Sequence, residues 1–225
     1  MRSVIDFVSL KIISPFNWTR IKFLLTGRSY DLTSMDRESL REMCDTGVYI
    51  WVTRRETHLT TYLITFSDYL LAVLAYYRGG RVGPKPKLGY YSHAFLNADK
   101  NTFIEAVARG VLQSYFDDVF NVDAVAALAP SGLSLIEWRM YSKKFVEVAK
   151  QRVGNTKYDT VFNLNDETEL SCIELIRVAL RHCMTDADYS LRFKRFEQMI
   201  IERKNLTPDM IRNCPDFEVV LEMRR

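Results

Sequence analysis

Three short stretches hold the residues of this chain best suited to chemistry: Tyr-Tyr-Ser-His at Tyr90–His93, Phe-Ile-Glu-Ala at Phe103–Ala106, and Ser-Cys-Ile-Glu-Leu-Ile at Ser171–Ile176. Together they supply an imidazole, a carboxylate and a thiol. A thiol attacks as thiolate, and the positive end of a helix favours that form. Cys172 stands where a helix should open, just after the polar, acidic stretch Asp166–Glu169. A free thiol titrates near about 8.5, and a helix terminus contributes up to about 2 kcal/mol, or about 1.5 pKa units. The helix alone therefore ionises a thiol only in part at neutral pH, and a neighbouring imidazolium would do more. His93 could take the thiol proton and later give it to a leaving group. Glu105 could hold the other imidazole nitrogen and fix its tautomer. The Cys172 N–H, free at a helix start, could donate to an oxyanion. Tyr158 and Ser92 are candidates for a further oxyanion or substrate contact.

Plainer readings stand beside these. A lone helical cysteine is usually a small buried apolar residue, and a strand histidine is usually satisfied or exposed. Glu105 is odder, because Phe103, Ile104, Ala106 and Val107 surround it and a carboxylate there needs a partner. Glu174 is explained by helix capping, and His58 and His182 lack a supporting local pattern.

The elements that must position these groups follow from local signals. Ser171 with Glu174 three residues on makes a capping box, and Ile173, Leu175, Ile176, Val178, Ala179 and Leu180 form a wide apolar face, so a helix is predicted over Ser171–Cys183. Tyr90–Asn97 and Thr102–Val107 are predicted strands joined by a turn at Ala98-Asp99-Lys100. Pairing Asn97 with Asn101 sets His93 directly opposite Glu105, on one face, with Cβ atoms about 5 Å apart. A slip of one residue would send the two to opposite faces. Further predicted elements are a helix over Asp36–Cys44, strands over Val48–Thr53 and Leu133–Arg139, and a long apolar helix over Leu59–Tyr77. A helix over Tyr141–Val153 ends at Gly154, an extended segment covers Tyr158–Phe162, and helices follow over Asp188–Lys204 and from Thr207-Pro208. The Gly/Pro-rich loop after Tyr77 carries Arg78, Arg81, Lys85 and Lys87, and is either a solvated loop or a receiver of an anionic group.

At 225 residues the chain suits one large domain, able to bury about 70% of its unfolded surface. With 48% hydrophobic and 26% charged residues its composition is that of an ordinary globular protein, and a net charge of +3 is too weak to argue for nucleic acid. Four cysteines without paired CxxC spacing and three histidines suggest no metal site, and no cofactor is expected. The thiols are expected to be reduced and the protein cytoplasmic, with no clear export signal and no apolar run of about 18 residues. The first 28 residues mix basic side chains with Ile, Phe, Leu and Trp18. They suit either a helix covering the core or one lying on a membrane surface.

The order and spacing of the motifs resemble the permuted papain-like amidase family of the YiiX and YaeF type, a branch of the NlpC-type cysteine hydrolases, over roughly Gly47–Leu221. Gly47–Ile50 resembles the family's opening strand, Tyr91-Ser92-His93 its Tyr-Ser-His strand, and Phe103–Ala106 with Gly110-Val111 its apolar-Glu-Ala and Gly-Val segment. Tyr158-Asp159 with Phe162 resembles its Tyr-Asp-x-x-Phe element, Ser171–Ile176 its Cys helix, and Thr207-Pro208-Asp209 with Phe217 a frequent C-terminal segment. The resemblance implies an α+β, circularly permuted papain-like core whose antiparallel sheet packs on the Cys-bearing helix. It implies one domain over 1–225, with helical extensions at 1–35 and 185–225. It implies the triad Cys172, His93 and Glu105, with histidine preceding cysteine. Val48 after Gly47, Ile173 after the cysteine and Ala94 after the histidine depart from the family pattern and leave the substrate pocket undefined.

The first expectation is a cysteine hydrolase of amidase or peptidase type acting through an acyl-enzyme on a peptide, amide or lipid-acyl substrate. Peripheral membrane contact fits the lipid option, through the apolar Leu59–Tyr77 stretch and the basic N-terminus. A lipid acyltransferase or thioesterase of the same fold, and a catalytically silent binding protein or scaffold, are the alternatives. A redox-sensing thiol is disfavoured, because Cys183 lies about 16 Å along the same helix from Cys172.

Overall fold

The computed structural model describes residues 32, 34–54, 73, 77–78, 90–159, 164–202 and 207–224. Along them run α1 (Ser34–Thr46), β1 (Ile50–Arg54), β2 (His93–Asn97), β3 (Thr102–Val107), β4 (Gly110–Tyr115), α2 (Phe116–Val119), β5 (Ala124–Pro130), α3 (Leu135–Arg152), α4 (Cys172–Cys183), α5 (Asp186–Arg192), α6 (Lys194–Glu202), α7 (Pro208–Asn213) and β6 (Phe217–Arg224). The strands form one antiparallel sheet in the order β4-β3-β2-β1-β5-β6, so the chain is α+β.

Side chains alternate across a strand, and this sheet buries both faces. On one face Ile50, Val52, Ala94, Leu96, Ile104 and Ala126 meet Phe145 and Ala149 of α3, Ile173 and Ile176 of α4, and Ile211 of α7. On the other, Trp51, Phe95, Phe103 and Val125 meet Leu40 and Cys44 of α1 and Phe116 of α2. Phe120 binds that second cluster edge-on, 5.0 Å from Trp51 and 5.2 Å from Phe103 between ring centroids, the arrangement that aromatic quadrupoles favour. At the loop end of β2 Asn97 is wholly buried and fully used. Its Oδ1 accepts from Tyr49 N at 2.7 Å and Trp51 Nε1 at 3.0 Å, while its Nδ2 donates to Gly47 O at 2.8 Å.

Several sequence expectations are corrected here. Leu133–Arg139 is not a strand: from Leu135 it is the first turn of α3, which absorbs the helix expected from Tyr141. Ser134 and Glu137 form a capping box, Glu137 N donating to Ser134 Oγ at 3.3 Å and Ser134 N to Glu137 Oε2 at 2.8 Å. That start signal outweighs the strand-like run Leu133-Ser134-Leu135-Ile136. The helix expected over Asp188–Lys204 is two, broken at Phe193, with Thr185 rather than Asp188 at the cap and residues 203–204 outside the described residues. The segment 185–225 is not wholly helical, because β6 joins the sheet beside β5. The strand expected from Tyr90 begins at His93, and that expected from Val48 begins at Ile50. The N-terminal extension through residue 31, all of Leu59–Tyr77 but residues 73 and 77, and the basic loop after Arg78 lie outside the described residues. Among the described residues no helix is long and apolar enough to cross a membrane.

Candidate active site

Cys172 is the first residue of α4, with Ser171 as its cap. Glu174 N donates to Ser171 Oγ at 3.4 Å, and Ser171 N to Glu174 Oε2 at 2.8 Å, so the capping box drawn from sequence is present. As the first helical residue, Cys172 has an N–H outside the intrahelical ladder, beside the positive end of the dipole. The start of α4 hangs on the sheet through a short relay. Val111 N of β4 donates to Thr156 O at 2.9 Å, and Leu170 N donates to Lys157 O at 2.8 Å. Gly110 permits the approach: it has φ +107°, and a Cβ there would lie 2.5 Å from Thr156 O. Only glycine combines that backbone with that proximity.

His93 opens β2 and Glu105 lies in β3. The expected register is off by two residues: Phe95, not His93, stands opposite Glu105. The loop explains the shift. Asp99 Oδ1 accepts from Asn101 N at 2.8 Å and Thr102 N at 2.9 Å, and Thr102 Oγ1 donates to Asp99 Oδ2. The carboxylate caps a turn centred on Lys100, and Ala98 N donates to Thr102 O at 2.8 Å, so pairing starts one residue later on each side. A two-residue shift preserves the face, which leaves His93 and Glu105 diagonal neighbours within reach of long side chains. His93 Nε2 lies 2.6 Å from Glu105 Oε2, with side chains 27% and 13% exposed.

The second Glu105 oxygen is also held. Ser114 of β4, 6% exposed, donates its hydroxyl to Glu105 Oε1. Sequence reasoning missed Ser114: nothing local marks it, and it reaches Glu105 only because Phe103 pairs with Ser114 in the β3–β4 ladder.

The imidazole bonds to Glu105 and lies near enough to Cys172 to feel the thiol. Burial pushes the His93 pKa down, but hydrogen bonds to Cys172 and Glu105 and the negative charge of both outweigh it and raise the value to about 9. Glu105 takes Nε2. A carboxylate this close favours the imidazolium form of His93. Burial pushes Glu174 upward, against its hydrogen bonds to Ser171 and with the help of Asp159 alongside. The other cysteines sit apart from any such pair. Burial raises Cys44 and Cys183 to about 12 and Cys214 to about 11.

The structure thus brings together Cys172, His93 and Glu105, and adds Ser114. The Ser92 hydroxyl is directed to Thr53 O at 3.5 Å, and Ser92 N donates to the same oxygen at 2.9 Å, so this residue serves the β1–β2 junction. Tyr158 packs, partly buried, against the core on the α4 side of the sheet. No protein-family model matches the chain, and neither the curated proteins nor the solved structures compared with it include a match.

Proposed function

We propose that this chain is a cysteine hydrolase that cleaves an amide or related acyl bond through an acyl-enzyme, on a permuted papain-like core. One observation carries the reading: the hydrogen-bonded pair His93–Glu105 beside Cys172, with the thiol at a helix N-terminus. Cys172 thiolate attacks the acyl carbon, and the carbonyl electron pair moves onto oxygen. The Cys172 N–H is placed to donate to that oxyanion. Collapse breaks the bond to the leaving group, which takes the proton held on His93. Water then attacks the thioester while His93 accepts its proton, and the acid leaves as the thiolate–imidazolium pair is restored. Glu105 keeps the imidazole oriented throughout and stabilises its charged form.

The reading is tested with panels of acyl esters, acyl thioesters and peptide amides. Intact-mass spectrometry should trap an acyl adduct, map it to Cys172, and find none in Cys172→Ala. Product analysis separates transfer to water from transfer to another acceptor. Absence of both adduct and turnover across the panels, in a folded protein, would overturn the proposal.

A further inference from the structure

The segment Thr207-Pro208-Asp209 has no part in the chemistry above, yet it reaches the chain just before His93. Asp209, in the first turn of α7, accepts from Tyr91 N at 2.9 Å through Oδ2, and the Tyr90 N–H also donates to this carboxylate. The strand pattern explains the need. Ser92 N points to β1, where it meets Thr53 O at 2.9 Å. Tyr91 precedes β2, whose first residue is His93, so its N–H stands outside the strand ladders. The β2–β3 ladder runs only between Phe95↔Glu105 and Asn97↔Phe103 and does not extend to Tyr91. Tyr91 is 1% exposed, and a buried N–H needs an acceptor.

The C-terminal elements also hold the Tyr91 side chain, and β1 holds Tyr90. The Tyr91 phenol donates to Glu222 Oε1 of β6 at 2.5 Å, and Arg212 of α7 holds Glu222 Oε2 at 2.9 Å. Arg54 lies 4.5 Å above the Tyr90 ring and donates to Tyr90 O at 3.3 Å. The support is rigid: Met210 and Ile211 are buried, and Phe217 packs 5.2 Å from Phe196.

We propose that Asp209 is a positioning residue of the candidate site: its carboxylate stands in for a missing strand partner and fixes the Tyr90–Tyr91 backbone, and so the place where the His93 ring meets Cys172. The inference rests on the thiol–imidazole reading of the site. Position matters here more than charge. Burial favours the neutral form of Asp209, so a neutral acceptor of the same length should serve.

The test compares Asp209→Asn, Asp209→Glu and Asp209→Ala in the full chain. The readouts are the iodoacetamide rate at Cys172, the NMR titration of the His93 ring, and thermal unfolding as a check of folding. Asp209→Asn should keep the Cys172 rate within about twofold, because its amide oxygen accepts the same N–H bonds. Asp209→Glu keeps the charge but displaces the acceptor by one methylene. It should lower the rate about tenfold and move the His93 titration, since displacements of about 1 Å in a catalytic constellation can cost far more. Asp209→Ala should do the same or more, and the other two variants decide the matter if it fails to fold. Wild-type rates and titration in Asp209→Glu, or an equal loss in Asp209→Asn, would overturn the proposal. His93→Ala is the control for the underlying reading: if it leaves Cys172 reactivity unchanged, the thiol–imidazole pair fails. If it abolishes reactivity while Asp209→Glu does not, only the clamp fails.

Discussion

His93 and Glu105 are not cross-strand partners. They stand diagonally on β2 and β3, with Phe95 opposite Glu105, and their side chains close the gap to 2.6 Å between Nε2 and Oε2. The diagonal lets both carboxylate oxygens work: one faces the imidazole, and the other receives the Ser114 hydroxyl from the next strand.

Ser114→Ala removes that hydroxyl and leaves a largely buried carboxylate oxygen short of a donor. The expected cost is about 1–2 kcal/mol of stability. The carboxylate loses one of its holds, and the Cys172 alkylation rate at neutral pH should fall about tenfold. Urea unfolding and peptide-mapped alkylation check the two effects. A folded variant with an unchanged rate would remove Ser114 from the site.

The His93 proton links the site to stability. The His93 imidazole is raised from its ordinary 6.5 to about 9 in the fold, so the folded state binds the proton more tightly than the unfolded chain does. Its stabilising contribution is fully present below about pH 6.5 and is lost as pH rises through about 9. Thermal unfolding of wild type and His93→Gln from pH 5.5 to 10 should show a wild-type advantage that shrinks across this window. A gap that widened with pH would contradict the raised value.

Gly110→Ala forces a Cβ to within 2.5 Å of Thr156 O at a φ of +107°. The expected cost is about 2 kcal/mol. The same substitution should slow Cys172, because Thr156 and Lys157 carry the strand-like contact that sets the start of α4. Stability and alkylation rate are measured together. Loss of stability with full reactivity would show that the relay is not what positions the helix.

Asn97→Leu takes away the acceptor of Tyr49 N and Trp51 Nε1 and the donor to Gly47 O, where the entry to β1 meets the end of β2. Buried groups left unpaired cost about 1–3 kcal/mol each, so a loss of about 3 kcal/mol or more is expected. Chemical denaturation measures it, and a loss below about 1 kcal/mol would mean that the network relaxes or is solvated.

What the sequence showed of this fold depended on how local the signal was. The start of α4 was legible because a capping box is a four-residue pattern, and Ser134–Glu137 carries the same pattern where the apolar run around it reads as strand. The shared face of His93 and Glu105 was legible because alternation survives a two-residue shift. Their register was not, because it depends on Asp99 folding its carboxylate back onto Asn101 and Thr102. Strand β5, Ala-Val-Ala-Ala-Leu-Ala-Pro, has weak strand propensity and becomes a strand by lying between β1 and β6. Ser114 reaches Glu105 through the β3–β4 ladder and Asp209 reaches Tyr91 across 118 residues, and no short motif encodes either contact.

The most direct measurement is the pH dependence of alkylation at Cys44, Cys172, Cys183 and Cys214, by peptide mapping, in wild type and His93→Ala. Burial holds Cys44 and Cys183 at about 12 and Cys214 at about 11, so these three should react slowly at neutral pH in both proteins. Cys172 should react fastest in wild type, well below pH 8, and should lose that advantage without His93. A Cys172 as slow as the other three in wild type, or equally fast in His93→Ala, would contradict the thiolate–imidazolium pair on which the proposed hydrolase rests.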